Sequence, residues 1–230
     1  MELTVATFNI RNGRAFDGRH SWPFRRQATA EAIRSLDADV IGLQEVYACQ
    51  QRYLQRHLPE YAFFGEGRNG GRRGEHTPVA VRGAARSHVT RWFDVAGSRF
   101  PRIATTVTLD GDLHITSTHL DEASTPRRNE SATQLRVWLD AMPGHHIVLG
   151  DFNADANASL FDTIGLSRVD PGPSGTTHHF NGNTDGRQID HILVSRGIEV
   201  LDASVAHPRP DGRLPSDHWP VVARVRITTP

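Results

Sequence analysis

Short apolar runs recur along the chain at strand and helix spacings in turn. Leu3, Val5 and Thr7 alternate with other residues up to Asn9, which predicts a half-buried strand. Ser21-Trp22-Pro23 then opens a helix in which Ala28, Ala32, Ile33 and Leu36 repeat at helical spacing. Val40 to Gln44 reads as a buried strand ending at Glu45, Ala48 to Leu58 as a second helix, and Tyr61 to Phe64 as a strand before a glycine- and arginine-rich loop from Gly65 to Gly74. Strands follow at Val79 to Arg82, Val89 to Asp94, Ile103 to Leu109 and Leu113 to Thr118, the last two joined by the turn Asp110-Gly111-Asp112. An amphipathic helix from Ser131 to Ala141, carried by Leu135, Trp138 and Leu139, stops at Pro143-Gly144. Beyond it come an apolar strand through Ile147, Val148 and Leu149, a short helix from Leu160 to Ile164, and a polar loop from Asp170 to Gly186. Strands Ile189 to Val194, Val200 to Ala206 and Val221 to Ile227 close the chain. Hairpins mixed with helices predict an α/β fold of packed sheets covered by helices, not a doubly wound parallel sheet.

Polar residues with chemical potential stand where these strands end. Asn9, Glu45, His119, Asp151, Asn153, Asp190, Asp217 and His218 each follow or interrupt an apolar run. Singly, any of them fits a cap or a turn. As a set they supply what phosphoester hydrolysis needs: carboxylates and amide oxygens for a hard cation, and imidazoles for proton transfer. A donor set of oxygens without thiolates favours Mg²⁺ or Mn²⁺ over Zn²⁺.

Composition narrows the setting. With 230 residues, 37% hydrophobic and 23% charged, the chain suffices for one large core, and a single domain spanning 1–230 is the simplest organisation. The 26 basic side chains, all arginines, balance 26 acidic ones, so no global field draws in nucleic acid or anionic membrane, and attraction for phosphate must be local. Cys49 is the only cysteine, which excludes an internal disulfide; without an apolar run of membrane-spanning length or a secretory leader, a cytoplasmic location is expected. No obligate protein partner is evident; the expected partner is a phosphoester substrate.

Several short motifs now acquire a common reading. Thr7-Phe8-Asn9-Ile10, Leu43-Gln44-Glu45-Val46, Ser117-Thr118-His119-Leu120, Gly150-Asp151-Phe152-Asn153, Gln188-Ile189-Asp190-His191-Ile192 and Ser216-Asp217-His218 occur in this order. The series resembles the motifs of the endonuclease/exonuclease/phosphatase superfamily, the DNase I-like enzymes, from about residue 4 to 222. That resemblance implies a four-layer α/β/β/α sandwich with a site at one edge of two sheets. It implies Glu45 as chief metal ligand, with Asn9, Asp151, Asn153 and Asp217 completing one or two metal positions. His218, oriented by Asp190, would activate water or steady the phosphoryl group, with Asp151 the rival base. His119 would protonate the leaving oxygen, oriented by Glu75, and Arg102 and Asn153 would contact phosphate.

Substrate is narrowed mostly by exclusion. Thr118-His119-Leu120 lacks the tyrosine usual in abasic-site endonucleases, and Val148-Leu149 before Gly150 departs from the pattern of inositol-polyphosphate phosphatases. Ser21-Trp22, Gly74-Glu75 and Gly175 to Phe180 resemble a bacterial branch of unassigned substrate. A phosphodiesterase acting on DNA or RNA leads, ahead of a small-molecule or phospholipid phosphatase and of a non-catalytic phosphate-binding member. Arg68, Arg72 and Arg73 read either as a phosphate-gripping loop or as a solvated one. Trp22 and Trp219 fit a core better than a base-stacking platform, and His145-His146 and His178-His179 fit structural positions better than a metal site.

Overall fold

The computed structural model describes residues 1–228. In chain order its strands are β1 (Glu2–Asn9), β2 (Val40–Gln44), β3 (Val46–Tyr47), β4 (Tyr61–Phe64), β5 (Glu75–His76), β6 (Val79–Arg82), β7 (Ser87–Trp92), β8 (Ile103–Leu109), β9 (Leu113–His119), β10 (His145–Asp151), β11 (Ser167–Arg168), β12 (Asp190–Val194), β13 (Ile198–Val205) and β14 (Val221–Ile227). The α-helices are α1 (Trp22–Ser35), α2 (Ala48–His57), α3 (Thr125–Asp140) and α4 (Leu160–Ile164). One six-stranded sheet runs β13-β14-β1-β2-β6-β4, the other β11-β12-β10-β9-β8-β7.

The two-residue period of the strands decides how these layers stack. In β1 Val5 enters a cluster with Val107, Ile115, Ile147 and Leu149 of the other sheet, whereas its neighbours Ala6 and Phe8 join Trp22, Ile33 and Leu54 of α1 and α2. In β10 Ile147 and Leu149 face the first sheet, while Val148 packs with Leu135 and Leu139 of α3 and Ile164 of α4. Each sheet therefore buries one face on the other and one on helices, a four-layer α/β/β/α sandwich. At Gly42 the sheets approach so closely that a Cβ would stand 2.7 Å from Leu149 Cβ. Trp22 and Trp219 are core residues, 6% and 0% exposed.

Most strand boundaries match the expected ones, and the departures have local causes. Helix α3 starts six residues before Ser131, because Ser124 accepts the N–H of Arg127 as N-cap and Pro126 pre-sets the first turn; that turn is polar and shows no apolar period. β7 opens at Ser87 and ends at Trp92, and is an outer strand with mostly exposed side chains. The ribbon pairing Tyr47 with Glu75 and Val46 with His76 has strands of two residues, too short for any periodicity to reveal. Among the described residues no helix is long and apolar enough to cross a membrane.

One buried imidazole carries a pH-dependent part of the stability. His191, 1% exposed, has Nε2 2.9 Å from the Ala154 carbonyl and a buried Nδ1 without a partner among the described residues. Burial pushes its pKa down to about 4, against the opposing effect of the Ala154 carbonyl. An unfolded imidazole titrates near 6.5, so between about pH 6.5 and 4 the unfolded chain binds a proton that the folded chain refuses, and stability falls with falling pH by up to about 3 kcal/mol. His191→Gln, which can keep the bond to Ala154, should flatten this slope in urea titrations at pH 7 and pH 4.5. An unchanged slope would place the titration in another group.

Candidate active site

Backbone register brings the polar strand ends together. In the second sheet Asp151 on β10 stands opposite His119 on β9 and opposite Asp190 on β12, a row of three across neighbouring strands. In the first sheet Asn9 on β1 stands opposite Gln44, the last residue before Glu45. Parallel pairing of β1 with β2 and of β9 with β10 delivers these termini to the same edge. The sheets are bridged there: Asn9 Nδ2 donates both to Glu45 Oε1 at 3.1 Å and to Asp151 Oδ2 at 3.0 Å. Glu45 Oε2 accepts the backbone N–H of Asn12 at 2.8 Å. Glu45 adopts φ +59° and Asn153 φ +51°, a region that asparagine tolerates and glutamate rarely enters, so the turn that aims the Glu45 carboxylate is itself strained.

Two imidazoles flank Asp151, each tied to a carboxylate through Nδ1. His119 Nδ1 lies 3.0 Å from Glu75 Oε1, and its Nε2 lies 3.6 Å from Asp151 Oδ2. Burial works against the Glu75 charge, but the bond from His119 and the nearby charges of His119, Arg68 and Arg102 outweigh it and hold the carboxyl at about 2. On the other side His218 Nδ1 lies 2.8 Å from Asp190 Oδ2. Burial disfavours the imidazolium there too, yet Asp190, Asp151 and Asp217 raise His218 well above the ordinary imidazole value. Asp151, Asp190 and His218 each offer one atom within 4.8 Å of the others, and Asp190 Oδ1 is buried with no hydrogen-bond partner among the described residues.

A match to the family model described as Endonuclease/Exonuclease/phosphatase family covers residues 6–218, which includes every one of these strand ends. The chain belongs to the endonuclease/exonuclease/phosphatase family. None of the curated proteins matches it by sequence. Among solved structures, an endonuclease/exonuclease/phosphatase family protein from Bacteroides thetaiotaomicron is 25% identical, with TM-score 0.90 over 100% of this chain and 99% of that one. The mannosyl-6-phosphatase of the same organism is also 25% identical, with TM-score 0.87 over 97% of this chain and 99% of its own. The structure of D. rerio TDP2 with single-strand DNA product, 17% identical, shares the fold at TM-score 0.72 over 98% of this chain and 99% of that one.

The remaining candidate residues occupy the rim of this family site in different ways. Asn153 donates its backbone N–H to Asp151 Oδ1 and its side-chain amide to the Leu120 carbonyl, which fixes the orientation of Asp151. Asp217, 8% exposed, accepts from Ser216 Oγ and lies 3.6 Å from Arg11 Nη1. Asn9 faces the two carboxylates with its amide nitrogen, since its Oδ1 accepts the N–H of Arg11; as placed it orients them through a donor, and oxygen ligation by Asn9 would require the amide to turn over. Arg102 is ion-paired with Glu122, has a buried Nε without a partner among the described residues, and lines a small cavity with His119, Glu75 and Arg68.

Three contributors were not visible in the sequence. Arg68 Nη1 lies 3.0 Å from Glu75 Oε2 and its guanidinium sits over Phe100, so this loop arginine is a half-buried partner of Glu75, the carboxylate bound to His119. Arg72 and Arg73 are exposed, as a solvated loop would have them. Arg25 in α1 is 2% exposed and donates to the carbonyls of Ile10, Arg11, His20 and Pro215, tying the segment after Asn9 to the segment before Ser216. Thr176 Oγ1 accepts the N–H groups of Ile189 and Asp190 and fixes the start of β12. An arginine in a helical pattern or a threonine in a loop carries no mark of these distant partners.

The donor chemistry fits a hard divalent cation. Glu45 and Asp151 place carboxylate oxygens on either side of one amide nitrogen, Asp190 keeps a buried oxygen unpartnered, and cysteine sulfur takes no part.

Proposed function

We propose that the protein is a divalent-metal-dependent phosphoesterase whose substrate is a phosphodiester of nucleic-acid or nucleotide type. The observation that supports this most is the pair of imidazoles, each anchored by a carboxylate, on either side of buried Asp151. Glu45 and Asp151, with Asp217 and Asn153 around them and Asn9 orienting both carboxylates, would hold Mg²⁺ or Mn²⁺, which when bound offsets charge on the phosphate oxygens and makes water more acidic. The Asp151 carboxylate accepts the proton of the attacking water. His218, kept protonated by Asp190, donates its Nε2 proton as a hydrogen bond to a non-bridging phosphoryl oxygen. As the bond from phosphorus to the leaving oxygen breaks, His119 transfers its Nε2 proton to that oxygen, while Glu75 stabilises the imidazolium through Nδ1. Arg102 contacts phosphate after exchanging its pairing with Glu122.

Arg68 belongs to this proposal as the group that positions Glu75. Arg68→Met should lower kcat on a small chromogenic diester by roughly tenfold with little change in KM, as expected when the support behind a catalytic group is removed, and Arg68→Lys should recover part of it. Replacing Arg72 and Arg73 together should leave that kcat unchanged. Equal effects of the two substitutions would return Arg68 to the surface loop.

The mannosyl-6-phosphatase likeness favours a second reading, a sugar phosphomonoesterase. A panel of single- and double-stranded DNA, RNA, a diester chromogen, mannose 6-phosphate and sphingomyelin, with Mg²⁺, Mn²⁺ or EDTA, separates the two. Cleavage of diesters that EDTA abolishes is expected. Preference for mannose 6-phosphate moves the assignment to the second reading, and inertness toward every substrate removes both. A cytoplasmic setting is part of the proposal, since Cys49 is free and exposed.

A further inference from the structure

A cavity of about 620 Å³ lies where α1, the loop after Thr177 and the segment before Ser216 meet. Arg25 joins it to the candidate active site, because the same guanidinium that forms part of its lining donates to Ile10, next to Asn9, and to Pro215, next to Ser216. His178, at the root of the cavity's loop, donates its backbone N–H to the Asp217 carbonyl at 2.8 Å.

The lining combines two chemistries. Arg19 and Arg213 bring positive charge, and among the described residues no carboxylate lines the cavity. Arg19 Nε donates to His20 Nε2 and Arg213 Nη1 to the Phe24 carbonyl, which leaves N–H donors on both guanidinium groups. Opposite in character are Phe24, 62% exposed, and Phe180, whose ring stacks on His20 with centroids 4.6 Å apart and planes 14° from parallel. Burial, and then the charge of Arg19, hold His20 below its ordinary pKa, so it stacks as a neutral ring. Phe180 reaches this position at φ +59° directly after His179 at φ +45°, a conformation that a bulky side chain adopts only when the surroundings impose it. The chain thus holds an aromatic ring under strain in the wall of a cationic cavity beside the site.

We propose that this cavity binds the nucleotide unit next to the scissile phosphate, its base against Phe180 and a second phosphate on Arg19 and Arg213. The inference deepens the phosphodiesterase reading and rests on it. A flat, uncharged base suits an aromatic wall, and a phosphate suits guanidinium donors with no competing carboxylate. A sugar phosphate would satisfy the guanidinium donors but would offer no flat apolar face to the Phe180 and Phe24 rings.

Equilibrium binding tests the cavity apart from turnover. The protein in EDTA is titrated by calorimetry with adenosine 3′,5′-bisphosphate, AMP, ribose 5-phosphate and mannose 6-phosphate. The bisphosphate should bind most tightly and AMP about tenfold more tightly than ribose 5-phosphate, the gain of one stacked base. Phe180→Ala should bring AMP down to ribose 5-phosphate, and Arg19→Gln with Arg213→Gln should bring the bisphosphate down to AMP, with melting temperatures near the parent's. Equal affinities for AMP and ribose 5-phosphate, tighter binding of mannose 6-phosphate, or unchanged affinities in the variants would overturn the proposal. The parent's turnover of the diester chromogen is measured alongside. Turnover with a flat affinity order removes the cavity proposal alone, whereas the expected order without turnover removes the hydrolase reading and leaves nucleotide binding standing.

Discussion

Glu45→Gln lowers turnover at sub-millimolar Mg²⁺ by on the order of 10²-fold or more, while the fold survives. The carboxylate is half-buried at the end of β2, with both oxygens engaged, Oε1 by Asn9 Nδ2 and Oε2 by the Asn12 N–H. Glutamine removes the negative charge that a cation needs. It also sets an amide NH₂ against one of these two donors, so the side chain loses a bond as well as a charge. The loss is therefore expected in cation affinity, read by titrating Mg²⁺ calorimetrically, with partial recovery of activity at high Mg²⁺. Because Glu45 lies outside the apolar clusters, the melting temperature should stay near the parent's. Near-parental activity at sub-millimolar Mg²⁺ would take Glu45 out of the cation site and shift attention to Asp151, Asp190 and His218, whose ligand atoms already lie within 4.8 Å of one another.

What the sequence disclosed and what it hid follow from the range of the interactions. Alternation in β1 and the unbroken apolar runs of β2 and β10 are local properties set by burial, so packed sheets covered by helices and the strand ends bearing Asn9, Glu45 and Asp151 could be read directly, while the four-layer order came from the family motifs. The row His119, Asp151, Asp190 depends on register, which no single strand encodes, and it emerges only once β9, β10 and β12 pair. Partners that meet only after folding stayed hidden. Arg68 and Glu75 are seven residues apart, yet they are brought together by an isolated antiparallel bridge between Gly67 and His76 and by the Arg68 N–H donating to the Glu75 carbonyl at 2.8 Å, contacts that leave no pattern in the sequence. Arg25 sits in α1 among apolar positions and is solvated by four backbone carbonyls from loops, a burial that composition alone argues against. The positive φ of Phe180 is likewise invisible to residue preference, which places glycine or asparagine there.

His119→Ala and His218→Ala should each cost roughly 10² to 10⁴ in kcat, and the double variant should lose less than the product, because the two imidazoles serve one reaction. Their effects on stability should differ, and the difference follows from who is left behind. Without His119, Glu75 still pairs with Arg68 at 3.0 Å, so its buried charge keeps a partner. Without His218, Asp190 loses what is, among the described residues, the only side-chain partner of a carboxylate that is 0% exposed and whose other oxygen has none there. An uncompensated buried group of this kind costs on the order of 1–3 kcal/mol or more, so His218→Ala should unfold at distinctly lower urea than His119→Ala. His218→Asn, which retains an amide donor near Asp190, should recover stability without recovering turnover. Small and fully additive losses of kcat would make both imidazoles structural, and equal stability of the two alanine variants would mean that Asp190 finds another partner when His218 is gone.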